Sequence, residues 1–158
     1  MDAVTYPDAR VIELMNAHFS PVKVNIRETQ TGAIRDLLRS VKPVWAPLFV
    51  FLDPRGTELR RYIGWLAPDE FLPELTFILG MQDLLRQRLD DAYARFRSAC
   101  DDAPQSSVAA EALFWAGTVA YKRGNSDSDA LHKEWDELVA RYPETTWARR
   151  TNVWDMKT

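Results

Sequence analysis

Few residues of this 158-residue chain have types and spacings that could do chemistry. It has one cysteine, Cys100, at the end of an amphipathic stretch and beside Asp101 and Asp102. Neighbouring carboxylates raise a thiol's pKa and so remove the thiolate that serves as nucleophile or metal ligand. Cys100 therefore reads as a small, partly buried apolar residue. His18 and His132 are far apart and have no metal-ligand spacing around them. His18, near a helix C-terminus, reads as a partner of the helix dipole rather than a base. Asp69-Glu70 and Asp90-Asp91 are adjacent on helical patterns, so each pair points two ways and reads as solvated surface. The sequence has no Gly-rich phosphate loop and no Gly-x-Ser-x-Gly elbow. These residues nominate no catalytic centre, no metal site and no cofactor. What stands out instead is Trp45-Ala46-Pro47, which introduces an apolar strand in "VWAPLFVFLDPRGTELRRYIGW" (residues 44–65).

Composition bounds the rest. The chain is 46% hydrophobic and 27% charged, as expected of a globular protein with a real core. Its net charge of −3 and pI near 5.4 leave no basic footprint for nucleic acid. Residues 1–80 carry 9 positive and 10 negative side chains, and the remainder 11 and 13, so neither half is electrostatically specialised. One cysteine excludes an internal disulfide framework. The opening "MDAVTYPDAR" is polar and reads as neither signal peptide nor anchor. No apolar run reaches the roughly 20 residues a membrane helix needs. A cytoplasmic protein without membrane or nucleic-acid partners is the expectation.

The elements around Trp45–Pro47 alternate. "YPDARVIELMNAHF" starts a helix at Pro7-Asp8 and repeats Val11, Leu14, Met15 and Phe19 at helical spacing. "PVKVNI" alternates Val22, Val24 and Ile26 as a short strand. "TGAIRDLLRSV" is a short helix, and "PLFVFLD" reads as a strand covered on both faces. Asp53-Pro54-Arg55-Gly56 is a turn signal that returns "TELRRYIG" as the antiparallel partner. "APDEFLPELTFIL" restarts a helix with Pro68, Asp69 and Glu70 in its first turn. The order is α-β-α-β-β-α, with a junction near Leu79–Gln82 and Gly80 at a helix end. That divides the chain into residues 1–80 and 81–158.

Residues 81–158 read as helices only, broken at Pro104, at Gly124-Asn125-Ser126 and at Pro143. Ala92-x3-Phe96-x7-Pro104 and Leu131-x3-Trp135-x7-Pro143 repeat one pattern at an offset of 39 residues. Small, large, then a terminating proline is the second-helix pattern of tetratricopeptide repeats, whose usual period is ~34 residues. A plain helical bundle with apolar stripes is the alternative, and the two imply similar packing. Trp115, Trp135, Trp147 and Trp154 gather here, as packing between helices or, on a second reading, as part of a partner-binding groove.

The first half resembles the thioredoxin-like family with its opening part removed. "AHFSPVKVNIRE" is similar to that family's helix-to-strand passage. "APLFVFLDPRGTELRRYIGWLAPDEFLPEL" is similar to its second half, with Pro47 at the cis-proline, Asp53–Gly56 at the hairpin turn and Gly64 ending the last strand. "EALFWAGTVAYKRGNSD" and "LVARYPETTWARR" resemble the helical extension of some bacterial thioredoxin-like proteins. The resemblance implies an α/β plus α fold: an incomplete thioredoxin-like domain followed by a tetratricopeptide-like region. It further implies that Trp45, Ala46 and Pro47 form a wall facing a bound extended peptide, as in strand addition. An ordinary trans proline at a strand's first residue is the alternative at Pro47.

Thiol–disulfide exchange needs one thiolate to attack and a second thiol to resolve. In the family both come from Cys-x-x-Cys at a helix N-terminus, just before the segment matching "MDAVTYPD". Met1 falls a few residues after the second of those cysteines, which would put the central strand and the motif upstream. This chain is therefore expected to be redox-inactive as it stands. The missing strand would sit between residues 21–26 and 47–53, leaving edges that pair directly or stay open. Two functions follow from the resemblance: thiol–disulfide oxidoreductase by descent, or a module that binds a protein or peptide at the Trp45–Pro47 wall. A homodimer through exposed sheet edges is a further expectation.

Overall fold

The computed structural model describes residues 1–28 and 31–154. Its elements are α1 (Ala9–His18), α2 (Gly32–Val41), β1 (Leu48–Leu52), β2 (Glu58–Ile63), α3 (Pro68–Leu85), α4 (Leu89–Asp101), α5 (Ala109–Arg123), α6 (Ser128–Arg141) and α7 (Thr146–Arg150), then a 3-10 turn over Thr151–Trp154. Helix dominates, and the described residues contain one two-stranded antiparallel sheet. The chain divides into two compact units, one ending at Ala67 and the other beginning at Pro68.

In the first unit, α1 starts where the sequence places it. Asp8 is its N-cap, with the side chain accepting from Arg10 N at 2.9 Å. The hairpin forms around the turn read from the sequence. Asp53 Oδ1 accepts from Arg55 N and Thr57 N, both at 2.8 Å, and Gly56 takes φ +83°. β1 and β2 then pair from Leu48↔Ile63 to Phe51↔Arg60, with an irregularity between Phe51 and Leu52. Phe49, Phe51 and Tyr62 stack on one face, at 4.7 and 6.1 Å between ring centroids, and Phe19 meets Phe51 edge-on at 5.8 Å. On the other face Arg61 reaches the end of α2, donating to the Val41 carbonyl at 2.7 Å.

The strand expected at residues 21–26 does not form. Residues 21–25 have no regular structure, and Val22 and Ile26 are 66% and 49% exposed. A strand is stabilised by its ladder and by cross-strand packing, and alternation alone supplies neither. Among the described residues β1 has one partner, β2, so no strand stands beside residues 21–26.

The core lies in the second unit. Consecutive helices α3 to α6 bury Phe77, Phe96, Leu113, Leu131, Trp135 and Leu138 in one cluster. The helix end expected at Gly80 is corrected. α3 runs unbroken from Pro68 through Gly80 to Leu85. Gly80 is there because Phe96 of α4 lies against it: a Cβ at that position would sit 2.8 Å from the ring. Gly117 of α5 repeats the arrangement against Trp135 of α6, where a Cβ would fall 2.6 Å from the indole. The two hairpins α3–α4 and α5–α6 thus each lock a glycine against an aromatic side chain. In sequence this is Gly80-x11-Ala92-x3-Phe96-x7-Pro104 and Gly117-x13-Leu131-x3-Trp135-x7-Pro143.

Candidate peptide-binding site

The residues singled out at the sequence level, Trp45, Ala46 and Pro47, lie between α2 and β1, and all three are exposed. α2 ends at Lys42, whose φ of +48° turns the chain while its N–H donates to the Leu38 carbonyl at 2.9 Å. Four residues on, the Ala46–Pro47 peptide bond is cis. The Pro47 carbonyl then accepts from Gly64 N at 3.0 Å, which closes the open end of the hairpin. Gly64 takes φ +108°, a conformation available to residues without a Cβ. Beyond it the Leu66 carbonyl accepts from the buried hydroxyl of Thr5 at 2.7 Å, tying the chain after β2 to the N-terminal turn.

One residue outside the Pro47–Gly64 bond stand Ala46 on one side and Trp65 on the other. Trp45 is 68% exposed, Val44 79% and Trp65 54%. The N–H and C=O of Ala46 have no hydrogen-bond partner among the described residues. The site therefore offers one free donor, one free acceptor and large apolar side chains to either side. That combination suits an extended backbone carrying apolar residues, since main-chain bonds supply affinity and flanking surfaces supply selectivity. The sequence reading had placed Trp45 beside the wall and missed Trp65; the Gly64-Trp65 pair closing a strand was the available signal.

The groups that could have done redox or acid–base chemistry stand elsewhere. Cys100 is fully buried in the helical unit, its Sγ 3.5 Å from the Tyr142 hydroxyl. That hydroxyl also donates to the Pro104 carbonyl at 2.9 Å. Burial is the main cause that pushes the Cys100 thiol up, with Asp101 adding a smaller effect and Tyr142 and Arg141 opposing. The sequence had assigned the rise to the aspartates; desolvation outweighs them. His18 and His132 are both exposed. Among the described residues no group of His, Cys, Asp and Glu could hold a metal ion. Among them, too, no helix is long and apolar enough to cross a membrane.

The tryptophans of the helical unit are taken up in packing. Trp135 stacks on Phe114 at 5.0 Å and donates from Nε1 to the Phe114 carbonyl at 3.1 Å. Trp147 packs on Phe114 from another side at 5.2 Å, with the Arg150 guanidinium 4.1 Å above its ring. Trp115 lies 6.5 Å from Phe96. The side chain of Trp154 lies outside the described residues. No protein-family model matches the chain, and neither a curated protein nor a solved structure matches it.

Proposed function

We propose that this chain is a thioredoxin-like protein, related to thiol–disulfide oxidoreductases, that binds extended peptide segments and carries out no dithiol exchange as it stands. The observation that carries the reading is the unpartnered backbone of Ala46 between exposed Trp45 and the hairpin end. What supports the family assignment is a hairpin entered through Ala46–Pro47, left through Gly64 and followed by α3; the α1–α2–β1–β2–α3 order departs from it at residues 21–26, where the expected strand is absent. The glycine–aromatic locks of α3–α4 and α5–α6 support a tetratricopeptide-like helical region later in the chain. A cytoplasmic setting is part of the same proposal.

Redox inactivity has a stated chemical reason. Exchange requires a reachable thiolate and a second thiol, whereas Cys100 is single, buried and protonated. Peptide binding is tested with a fluorescently labelled, reduced and carboxymethylated unfolded protein. Its anisotropy should rise on titration with this chain and stay flat with the Trp45→Ala variant. Equal binding by both proteins would show that Trp45 takes no part. The same preparation should not accelerate dithiothreitol-driven reduction of insulin. A catalysed rate would contradict the redox half of the proposal.

A further inference from the structure

We infer that the Trp45–Pro47 wall selects extended segments that carry a carboxylate beside their apolar residues. The inference rests on the peptide-binding reading above and names the class of segment that site takes. The side chains at the wall supply donors. Across residues 42–47 and 64–67 the polar side-chain groups are the Lys42 ammonium and the indole N–H groups of Trp45 and Trp65. An ammonium and an indole N–H donate and cannot accept. Among the described residues none of the three meets a hydrogen-bond or ion-pair partner, and all three side chains are exposed. The backbone of Ala46 offers a donor and an acceptor alike, so it favours neither sign of charge. The side chains decide it.

The surrounding charge points the same way. Residues 32–65 carry six lysines and arginines against three aspartates and glutamates, in a chain whose net charge is −3. Each of those three carboxylates is already engaged. Asp36 lies 3.8 Å from Arg35 and 3.7 Å from Arg39, Asp53 accepts from its own turn, and Glu58 pairs with Arg61 at 2.6 Å. Lys42 is left as an uncompensated cation four residues before Ala46, at most about 14 Å of fully extended chain away. Its backbone is fixed beside the hairpin, because Arg61 of β2 donates to the neighbouring Val41 carbonyl at 2.7 Å. A carboxylate arriving with a bound segment meets that ammonium and the indole N–H donors. A lysine or arginine arriving there meets Lys42 with no free carboxylate to offset it. Exposed indole faces also attract cations, but here Lys42 opposes that attraction while it reinforces the pull on an anion.

The test compares three fluorescently labelled synthetic peptides of one apolar sequence, Ser-Gly-Val-Xaa-Phe-Val-Gly-Ser, in which Xaa is Glu, Gln or Lys. Each is titrated with the full chain at low salt and followed by anisotropy. The expected order of affinity is Glu, then Gln, then Lys, with about threefold between successive peptides, the size an exposed ion pair allows. The spread should narrow in about 1 M salt, where charges are screened beyond roughly 3 Å. Lys42→Asn removes the cation and keeps a residue that accepts the positive φ of this position. In that variant the Glu peptide should bind no better than the Gln peptide. Equal binding of the three by the wild type, or a preference for the Lys peptide, would overturn the inference and leave peptide binding standing. An advantage of the Glu peptide that survives Lys42→Asn would place the selectivity elsewhere and overturn it too. Failure of all three to bind would overturn the peptide-binding reading and this inference with it. The wild-type comparison needs no variant, so the inference stays testable if Lys42→Asn fails to fold.

Discussion

Gly80 and Gly117 sit where a methyl group has no room. Replacing glycine by alanine inside a helix normally gains about 1 kcal/mol from backbone propensity. Here the added Cβ would meet Phe96 at 2.8 Å or Trp135 at 2.6 Å. Phe96 is fully buried, and Trp135 is held by its bond to the Phe114 carbonyl, so neither ring can step aside cheaply. Overpacking costs about 1–3 kcal/mol and should outweigh the propensity gain. Gly80→Ala and Gly117→Ala are therefore expected to lower the urea midpoint at constant slope, and Phe96→Leu combined with Gly80→Ala should recover part of the loss. The sequence displayed both glycines but not their purpose: a glycine near the end of an apolar helix is also a common terminator, and the facing aromatic is many residues away. Cys100 gives a second test at this scale. Its buried, protonated thiol should resist alkylation at neutral pH in the native protein and react once the chain is unfolded; rapid native labelling would contradict the burial.

At the scale of elements, α4 and α6 are joined by a buried-to-exposed ladder of charges. Arg97 donates to Glu134 at 2.9 Å and to Glu137 at 2.8 Å, and Arg141 bridges Glu137 at 2.6 Å and Asp101 at 2.9 Å. Tyr93 adds a bond to Glu134 at 2.7 Å. The bond from Arg97, reinforced by Arg141 against the opposing cost of burial, holds the Glu137 carboxyl below its ordinary 4.5. A carboxylate depressed in the folded state contributes stability above its unfolded value, and that contribution is lost as pH falls through the folded one. Acid should thus loosen the α4–α6 contact below about pH 4.5. Because about a third of the Glu137 side chain faces water, Glu137→Gln should cost only ~0.5–1 kcal/mol at neutral pH and flatten the acid limb of the stability curve. Unchanged pH dependence in that variant would assign the acid sensitivity elsewhere. Tyr142 behaves oppositely. Burial first, then its contact with Cys100, pushes its hydroxyl up to about 12. Its contribution persists below the ordinary tyrosine value of 10.0 and is lost as pH rises through about 12. Most element boundaries were legible because they rest on local chemistry: Asp8 caps α1, Asp53–Gly56 turns the hairpin, and Pro68 opens α3. The strand at residues 21–26 was not, because alternation specifies which faces could pair but cannot supply the neighbour to pair with.

The whole molecule combines a well-packed helical unit with a first unit whose sheet has two strands and an open edge. In the first unit, Thr5 and Val11 are the only described residues that are fully buried, and the apolar stripe of α2 (Ile34, Leu37, Leu38 and Val41) is only half covered. Sparse burial and exposed backbone bonds mark the low-stability end of a structure, where binding segments are drawn from. The first unit should accordingly show faster amide exchange than the α3–α6 core, and a bound peptide should slow it. The candidate site was half visible in the sequence: Trp45-Ala46-Pro47 announced itself by proline placement, whereas Trp65 and the free backbone of Ala46 emerge from the way the hairpin closes at Pro47 and Gly64. The most direct test of peptide binding is an amide-resolved nuclear magnetic resonance titration of the full chain with the reduced, carboxymethylated unfolded protein. Binding at the wall requires saturable shifts centred on the Ala46 amide and the Trp45 and Trp65 signals. Shifts absent there, or confined to the helical unit, would contradict it.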